Sequence, residues 1–283
     1  FQKFTVDRLR RMPSQPLLKR DWVKDHVYHV QFPRAGCIPS ASPFALKLET
    51  WLRMADIPYT NVSNDFKKFS QKGQIPFIEI NGRQVADSSM IIEFLGEHFS
   101  KDLDAKLTPQ ERAQATAYKA LLENHLFWTM VYYRSRNNKW MATEQGMIGH
   151  LSGVKKFVFQ KFLCEKFRKK IAAMVHTQGM GRNTQLEVDA IAKADLDALE
   201  ALIGNKPYFF GPTPTSFDAA AFGLLCQFVY TPQCTDCLKK HIAEGCPSLA
   251  AFVDRVKSTY WPDWDEAISK LSLATQWKPQ PQQ

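Results

Sequence analysis

Four side chains that commonly bind metals lie close together near the C-terminal end of the chain. They follow the pattern Cys234-x2-Cys237-x3-His241-x4-Cys246. Cysteine and histidine at such short spacings are typical ligands of structural zinc. A zinc knuckle, however, has one more residue between its second Cys and its His. Reduced thiols in ordinary packing explain the pattern equally well, and six Cys at irregular spacing are typical of a reducing compartment. We therefore expect no metal.

Two predicted helix starts carry groups that suit an anion. Ser42-Pro43 begins one helix, and Asp87-Ser88 begins another directly after a predicted strand. A helix N-terminus presents unpaired N–H groups, and an added hydroxyl makes it a good partner for a carboxylate. Both pairs are also typical of plain helix caps: Ser42 is followed by Pro at the first helical position, and Asp87 is a favoured cap residue. The sequence leaves ligand binding and capping open at both places.

A third candidate site lies in a glycine-containing segment between two predicted helices. Here His176 and Arg182 flank Gly179 and Gly181. Glycine allows the backbone to approach a ligand closely, so His176 and Arg182 could form a pocket for an anionic substrate. A tight turn between helices accounts for the two glycines as well.

The predicted helix over 154–171 interleaves basic and aromatic side chains. Phe157, Phe159, Phe162 and Phe167 alternate with lysines and one arginine, and the fit to a simple amphipathic wheel is loose. Aromatic groups on a basic helix favour an anionic membrane surface. The side chains that would contact it are Lys166, Arg168, Lys169 and Lys170. The alternative is a solvated helix whose aromatic groups fill the core.

The positive charge is confined to two segments. The chain has 283 residues and a formal charge of +9. Residues 1–25 carry a net +4 and residues 154–170 a net +6, so the remainder is close to neutral. No nucleic-acid recognition motif accompanies this charge, so we expect no nucleic-acid partner. The printed sequence shows no signal-peptide pattern and no apolar run long enough to span a membrane.

The position of the first residue bears on the expected location. The chain begins with Phe1 instead of Met. We therefore expect the natural chain to start earlier, with room for an N-terminal anchor. The expected location is cytoplasmic, at a membrane surface.

The elements that must position these groups fall into two domains. Residues 26–102 read as β-α-β-β-β-α, with strands at 26–32, 59–62, 75–80 and 83–86 and helices starting at 43 and 88. Asn81-Gly82 is a strong hairpin turn. Residues 108–270 are all helical, with segments at 110–134, 154–175, 186–203, 217–230 and 249–260. We expect residues 1–25 to be a basic arm and 271–283 a flexible tail.

Two shorter patterns complete the helical half. Thr215-Ser216-Phe217-Asp218 reads as a capping box at the start of its central helix. An acidic group on the preceding helix predicts one exposed face without a metal. It consists of Asp189, Asp195, Asp197 and Glu200.

This order of elements resembles the glutathione transferase superfamily. The run PSASPFALKLETWLRM at 39–54 closely resembles the failed axon connections family, relatives of the metaxins. So do HTQGMGR at 176–182, KPYFFGP at 206–212 and WPDW at 261–264. The resemblance covers about residues 26–265. It implies an α/β thioredoxin-like N-terminal domain and an all-α, transferase-like C-terminal domain.

The resemblance also implies roles for particular residues. Pro76 would follow a cis peptide bond, and the glutathione-binding residues would be Gln74, Ile75, Pro76, Asp87 and Ser88. Ser42 occupies the position of the nucleophilic Cys of glutaredoxins and would polarise the glutathione thiolate. Ala45 replaces their second Cys, so a disulfide-exchange cycle is excluded at this site.

Two functions follow from the resemblance. The first is a weakly catalytic or non-catalytic, membrane-associated intracellular protein with a protein partner and a role in axon development; the metaxin relatives act in mitochondrial outer-membrane import and are not enzymes. The alternative is a glutathione S-transferase in which Ser42 acts on the thiol. Glutathione is the candidate ligand in both cases, and no cofactor is expected. Transferase relatives suggest a homodimer. The long loop at 33–39 could cover the site. A covered site would favour the non-catalytic hypothesis, and an accessible Ser42 would favour the transferase.

Overall fold

The computed structural model describes residues 17–275 and Lys278. The first domain contains the predicted β-α-β-β-β-α unit. Its elements are β1 (Val27–Gln31), α1 (Pro43–Met54), β2 (Tyr59–Ser63), β3 (Phe77–Ile80), β4 (Arg83–Ala86) and α2 (Ser88–Phe99). Most of the predicted basic arm, residues 1–16, lies outside the described residues. The fold class expected from the sequence is confirmed.

The four strands form one mixed sheet in the order β2-β1-β3-β4. β1 pairs with β2 in parallel, in the register Val27 to Tyr59, and with β3 in antiparallel. β3 and β4 form the hairpin predicted at Asn81-Gly82. Val27, Val30 and Ile78 are fully buried in this sheet.

Helix α1 is buried on nearly every side. Apart from Phe44 and Met54, all its residues are buried, including the polar ones. One side packs on the sheet and the other on a helix of the second domain. At that contact, a Cβ added to Gly223 would lie 2.5 Å from the carbonyl oxygen of Pro43. Trp51 Nε1 also donates to Ser216 Oγ at 3.1 Å. The two domains therefore share a close, directional interface.

The second domain is helical throughout its described residues. Its elements are α3 (Pro109–Leu121), α4 (Phe127–Arg136), α5 (Gly153–Val158), α6 (Cys164–Gln178), α7 (Gln185–Ile203), α8 (Ser216–Tyr230), α9 (Cys237–Lys240), α10 (Pro247–Tyr260) and α11 (Trp264–Lys270). Three π-helical turns continue helices without a break, at Leu122–Leu126, Phe159–Leu163 and His241–Gly245. No helix among the described residues is long and apolar enough to cross a bilayer.

Helix α8 forms the centre of this domain, and its predicted capping box is confirmed. Thr215 N and Oγ1 donate to Asp218 Oδ2 at 2.7 and 2.6 Å. Asp218 Oδ1 also accepts a hydrogen bond from Phe209 N at 2.9 Å. The cap thus joins the start of α8 to the preceding loop.

A buried ionic network connects the two domains. Glu49 of α1 accepts two hydrogen bonds of 2.7 Å from Arg34, and both side chains are fully buried. Arg53, one turn along α1, donates to Glu49 at 3.3 Å and to Asp263 Oδ2 at 3.0 Å. Three neutral side chains also donate to the Glu49 carboxylate: Gln31, Tyr59 and Asn61. The two arginines and two carboxylates balance in charge.

The WPDW segment at 261–264 contributes the residues of the second domain that take part in this network. The Arg53 guanidinium lies 3.6 Å from the ring centroid of Trp261. Residues past α11 join as well, because Arg34 Nε donates to Ser272 O and Thr275 donates to Asp263. These contacts lie inside the segment 271–283 that we expected to be flexible, and Lys278 of the same segment pairs with Asp56 at 2.6 Å.

The acidic residues of α7 do not form one exposed face, so that expectation was wrong. Asp195 is buried and pairs with His125 at 2.7 Å. Asp189 accepts a hydrogen bond from Tyr133, while Glu200 accepts two backbone hydrogen bonds at the start of α10. Each carboxylate has a partner on another helix because α7 packs between helices.

Candidate functional site

The Ile75–Pro76 peptide bond is cis, as predicted. Pro76 is buried and directly precedes β3. Gln74, on its N-terminal side, is exposed, and its backbone pairs with Ser70 through hydrogen bonds of 3.1 and 3.2 Å. Glutathione binding by Gln74, Ile75 and Pro76 stays a prediction.

Asp87 and Ser88 occupy the start of α2. Asp87 has a φ of 85°, and its carboxylate accepts hydrogen bonds from Ser89 N and Met90 N at 3.0 and 3.2 Å. Asp87 therefore acts as the helix cap. Ser88 is the first helical residue and is buried, with its hydroxyl directed at α1.

Lys47 of α1 fills the space in front of this helix start. Its Nζ donates to Ser89 Oγ at 2.9 Å, to Ser88 Oγ at 3.3 Å and to Glu123 Oε1 at 2.6 Å. Burial lowers the pKa of Lys47 to about 8, and the nearby Glu123 carboxylate opposes that shift. Glu123 belongs to the second domain, so this ion pair closes the cleft between the domains.

Little space remains beside Lys47. A cavity of about 10 Å³ lies between Pro43, Phe44 and Lys47 on α1 and Glu123 and Phe127 across the cleft. That volume holds about one water molecule. The Phe44 and Phe127 rings face each other with centroids 5.0 Å apart.

Ser42 caps α1, as one of the two interpretations of the sequence held. Its Oγ accepts a hydrogen bond from Ala45 N at 3.3 Å. The preceding residues are fixed to the second domain, because Arg134 donates to Ala41 O at 2.7 Å and Gln227 donates to Ser40 O at 3.2 Å. The hydroxyl is therefore held in a capping position.

The loop at 33–39 packs against the second domain. Gly36 N and Cys37 N donate to Gly146 O and Gln145 O at 3.0 and 2.9 Å. A side chain at Gly36 would overlap the carbonyl of Glu144, so glycine is required for this approach. The loop is thus held against the second domain by backbone hydrogen bonds.

Burial makes five of the six cysteine thiols less reactive. Burial raises the pKa of Cys37 to about 11 and that of Cys246 to about 12. It also raises the pKa of Cys164, Cys226 and Cys234. These thiols are protonated at neutral pH, and a protonated thiol is a poor nucleophile.

His176 and Arg182 stay a prediction as substrate-pocket residues. Both are exposed, and neither lines the cavity beside Lys47. The turn requires glycine at both intervening positions. Gly179 has a φ of 116°, and a Cβ on Gly181 would lie 2.7 Å from His176 N. The turn between α6 and α7 therefore accounts for both glycines.

The segment 153–178 exposes an unusual set of apolar side chains. Val154 is 79% exposed, Phe162 is 63% exposed and Phe157 is 56% exposed. Leu163, Phe167 and Met174 are exposed as well. Lysines without an ion pair among the described residues lie between them: Lys155, Lys161, Lys166, Lys169 and Lys170. These eleven side chains are called the basic aromatic surface below.

Two residues of this segment have other roles. Arg168 pairs with Glu165 at 2.7 Å and donates to Ser135 O at 3.1 Å, so its guanidinium is held against the protein, unlike the neighbouring lysines. Phe159 is half-buried and contacts Phe66 of the first domain, with ring centroids 6.3 Å apart.

The Cys/His pattern of the sequence is only partly brought together. Cys234 donates to Gln185 at 3.4 Å and lies apart from the other members. His241 and Cys246 meet each other beside Asp197. The sequence pattern did not include Asp197 because it lies on another helix.

Comparison with known proteins identifies the family. The glutathione S-transferase N-terminal domain family matches residues 43–140, and the C-terminal domain family matches residues 192–256. Failed axon connections from Drosophila melanogaster is 36% identical over 266 residues, which cover 90% of this chain. The chain belongs to the glutathione transferase superfamily. It falls in the metaxin-like branch that includes failed axon connections, as the sequence motifs predicted.

Other relatives extend this family. An isoprene-epoxide–glutathione S-transferase from Rhodococcus sp. is 29% identical over 228 residues, covering 79% of this chain and 94% of that protein. A metaxin-1 homologue from Caenorhabditis briggsae is 27% identical over 249 residues, covering 85% of this chain and 76% of the homologue. The chain spans 63% of the length of the Drosophila protein.

A solved structure matches the fold. The beta-etherase from Sphingobium sp. has a TM-score of 0.57 and 16% identity, and the match covers 87% of this chain and 99% of the etherase. At this identity, the similarity concerns the fold alone.

Proposed function

We propose that this transferase-fold chain is a cytoplasmic interaction protein that binds anionic membrane surfaces and does not catalyse glutathione chemistry. The observation that carries the proposal is the basic aromatic surface, where exposed aromatic groups alternate with lysines that lack an ion pair among the described residues. A soluble protein rarely leaves so many large apolar groups exposed without a partner.

The two kinds of side chain would act together at a membrane. Each lysine near an anionic surface contributes roughly 1 kcal/mol of attraction. Phe157, Phe162 and Phe167 would enter the headgroup region, where aromatic and aliphatic groups leave water. Because the lysines are not neutralised by carboxylates of the described chain, their attraction to lipid remains available.

A second copy of the chain is a poorer partner for this surface. In a symmetric dimer built on it, the same patch of both copies would meet. Residues 154–170 carry a net +6, so their two copies would repel each other. The same charge attracts an anionic bilayer. A homodimer would therefore have to form through another face of the protein. An acidic protein is the remaining alternative to a membrane as the partner of the basic aromatic surface.

The closed cleft supports a non-catalytic role. Ser42 Oγ acts as an acceptor for the α1 cap, and Lys47 with Glu123 occupies the space before α2. The cavity of about 10 Å³ beside Lys47 holds about one water molecule, so a ligand could enter at this point only if the ion pair opened. The Ser42 hydroxyl, which accepts the cap hydrogen bond, still has its O–H to donate, so the filled space before α2 and not the cap disfavours catalysis.

Glutathione binding is the second candidate function. The Asp87-Ser88 helix start favours it. The bacterial relative is named as a glutathione transferase. In that case, Lys47 and Glu123 would separate to admit the ligand. Calorimetry with millimolar glutathione tests this candidate, using wild type, Ser42→Ala and Asp87→Ala. A lack of heat with the wild type would remove the candidate.

Flotation with vesicles tests the first proposal. The variant K161Q/K166Q/K169Q/K170Q neutralises four exposed lysines of the surface, and K67Q/K68Q/K239Q/K240Q neutralises four exposed lysines elsewhere. We expect wild type and the control to float with phosphatidylserine vesicles. The surface variant should remain at the bottom of the gradient. Equal flotation of all three, or of none, would refute the proposal.

The relative's name extends the proposal to axon development. We propose that membrane binding is the property needed there. Neurons lacking the protein should be rescued by the wild-type chain and by the control variant, but not by the surface variant. Equal rescue by all three proteins would show that the role in axon development does not depend on membrane binding.

A further inference from the structure

We infer that Asp197, His241 and Cys246 form a binding site for a divalent cation of the zinc class. This inference concerns another face of the second domain and does not depend on the proposed function. Asp197 Oδ1 lies 2.7 Å from His241 Nε2 and 3.8 Å from Cys246 Sγ. All three potential ligand atoms lie within 4.8 Å of one another.

Three separate elements hold the ligands in place. Asp197 projects from the long helix α7, His241 begins a π-helical turn, and Cys246 precedes α10. Glu200, almost one turn beyond Asp197, accepts hydrogen bonds of 2.9 Å from Ser248 N and Leu249 N. This contact fixes the start of α10, and with it Cys246, against α7. The site is therefore preformed by backbone contacts outside the ligand set.

His241 begins a π-helical turn that ends at Gly245. Such turns are rare and often occur at functional sites. A Cβ added to Gly245 would lie 3.2 Å from both Nδ1 and Cε1 of His241. Glycine at this position lets the backbone pass close to the ring, so the ring can keep its orientation toward Asp197.

The ligand types select the class of metal. One thiolate, one imidazole nitrogen and one carboxylate oxygen suit Zn²⁺ or Co²⁺ better than Mg²⁺ or Ca²⁺, which prefer oxygen ligands. Zinc sites with three protein ligands leave a fourth position for water. A cleft of about 430 Å³ borders His241 and is also lined by Glu244, Gly245 and two lysines, Lys193 and Lys240.

Binding would change bonds in a defined way. The metal would take the place of the hydrogen on His241 Nε2, the imidazole then carrying that proton on Nδ1 in its other neutral tautomer, and the Cys246 thiol would release its proton to solvent as the metal–sulfur bond forms. The 2.7 Å contact between imidazole and carboxylate must widen, because Zn–N and Zn–O bonds are about 2.0 Å each. Asp197 is the ligand with the freest side chain, at 60% exposure, so it can move.

Cobalt titration of the full chain tests the inference. The protein is treated with chelator, kept in a non-thiol reductant and titrated with Co²⁺, followed by competition with Zn²⁺. We expect one equivalent of Co²⁺ to give a thiolate-to-cobalt absorption band that Zn²⁺ abolishes. Cys246→Ser should remove the band, and Asp197→Asn should weaken binding at least tenfold. The control Cys234→Ser should bind like wild type.

Two results would overturn the inference: no stoichiometric binding by wild type, or a thiolate band that survives Cys246→Ser. If Cys246→Ser fails to fold, as judged by circular dichroism, His241→Asn decides the matter, because it leaves the buried thiol in place. An affinity for Co²⁺ unchanged by His241→Asn would then refute the site, and a tenfold or greater loss would support it.

Discussion

Lys47 and Glu123 form an ion pair with a distance of 2.6 Å between Nζ and Oε1, across the interface of the two domains. Lys47 is almost completely buried, and it also donates to the two serines that begin α2. The pair thus closes the place where a transferase-like fold would receive the end of a peptide ligand. Its two residues lie 76 positions apart in the sequence.

Removing the negative member of this pair should destabilise the fold. Glu123→Gln leaves the Lys47 ammonium buried without its counter-charge, and we expect the free energy of unfolding to fall by about 3 kcal/mol in urea denaturation. Glu144→Gln is the matched control, because its pair with Lys156 is exposed and 3.5 Å long. It should change stability by less than about 0.5 kcal/mol. If both variants lost equally little stability, the buried pair would not help to hold the two domains together.

Replacing Ser42 should affect stability alone. Ser42→Ala removes the hydroxyl that caps α1 and should lower the free energy of unfolding by about 1 kcal/mol. Thr108→Ala, which removes the cap of α3, should cost a similar amount. Conjugation of glutathione to an electrophile should stay at background in wild type and both variants. A wild-type activity that disappears in Ser42→Ala alone would contradict the non-catalytic role.

Disrupting the buried network should be more severe. Glu49→Gln leaves Arg34 and Arg53 facing each other with a single remaining carboxylate, that of Asp263. We expect a loss of about 3–5 kcal/mol in the free energy of unfolding. Glu97→Gln, at an exposed position of α2, is the control. A loss below about 1 kcal/mol for Glu49→Gln would mean that the network contributes little to holding the domains together.

His29 makes the stability depend on pH. It is fully buried in β1, and burial lowers its pKa from 6.5 to about 4. Between these values the unfolded chain binds a proton that the folded chain does not. His29 therefore reduces the free energy of unfolding as the pH falls from about 6.5 to 4, by about 3 kcal/mol in total.

Comparison of variants isolates this contribution. Between pH 7 and pH 4, His29→Asn should lose about 3 kcal/mol less stability than wild type in urea denaturation. His176→Asn, which removes an exposed imidazole, serves as the control. A pH dependence identical in His29→Asn and wild type would contradict the assignment.

Features with a local sequence signal were predictable. The hairpin at Asn81-Gly82 and the capping box of Thr215 and Asp218 each depend on neighbouring residues, whereas the cis bond before Pro76 was implied by the family resemblance. Helix α1 was predicted from its apolar spacing and its Ser42-Pro43 start. Its burial on both sides was not, because that burial depends on contacts with α8 and the WPDW segment.

The contacts that the sequence did not reveal join residues far apart in the chain. Lys47 reads as a surface lysine until Glu123 and α2 are placed beside it. Asp197 reads as part of an acidic face until His241 packs against it. Conversely, the loose wheel of the 154–171 segment already indicated aromatic groups among the lysines, and the structure leaves several of them exposed.

Partitioning into vesicles of increasing phosphatidylserine content tests the central claim most directly. Wild type should bind more tightly as the anionic fraction rises and less tightly as salt is added, because screening weakens the attraction of the lysines. The variant F157Q/F162Q/F167Q, which keeps every charge, should bind at least tenfold more weakly at each composition. Binding that is absent at every composition, equally tight on neutral vesicles, or unchanged in the aromatic variant would contradict the account.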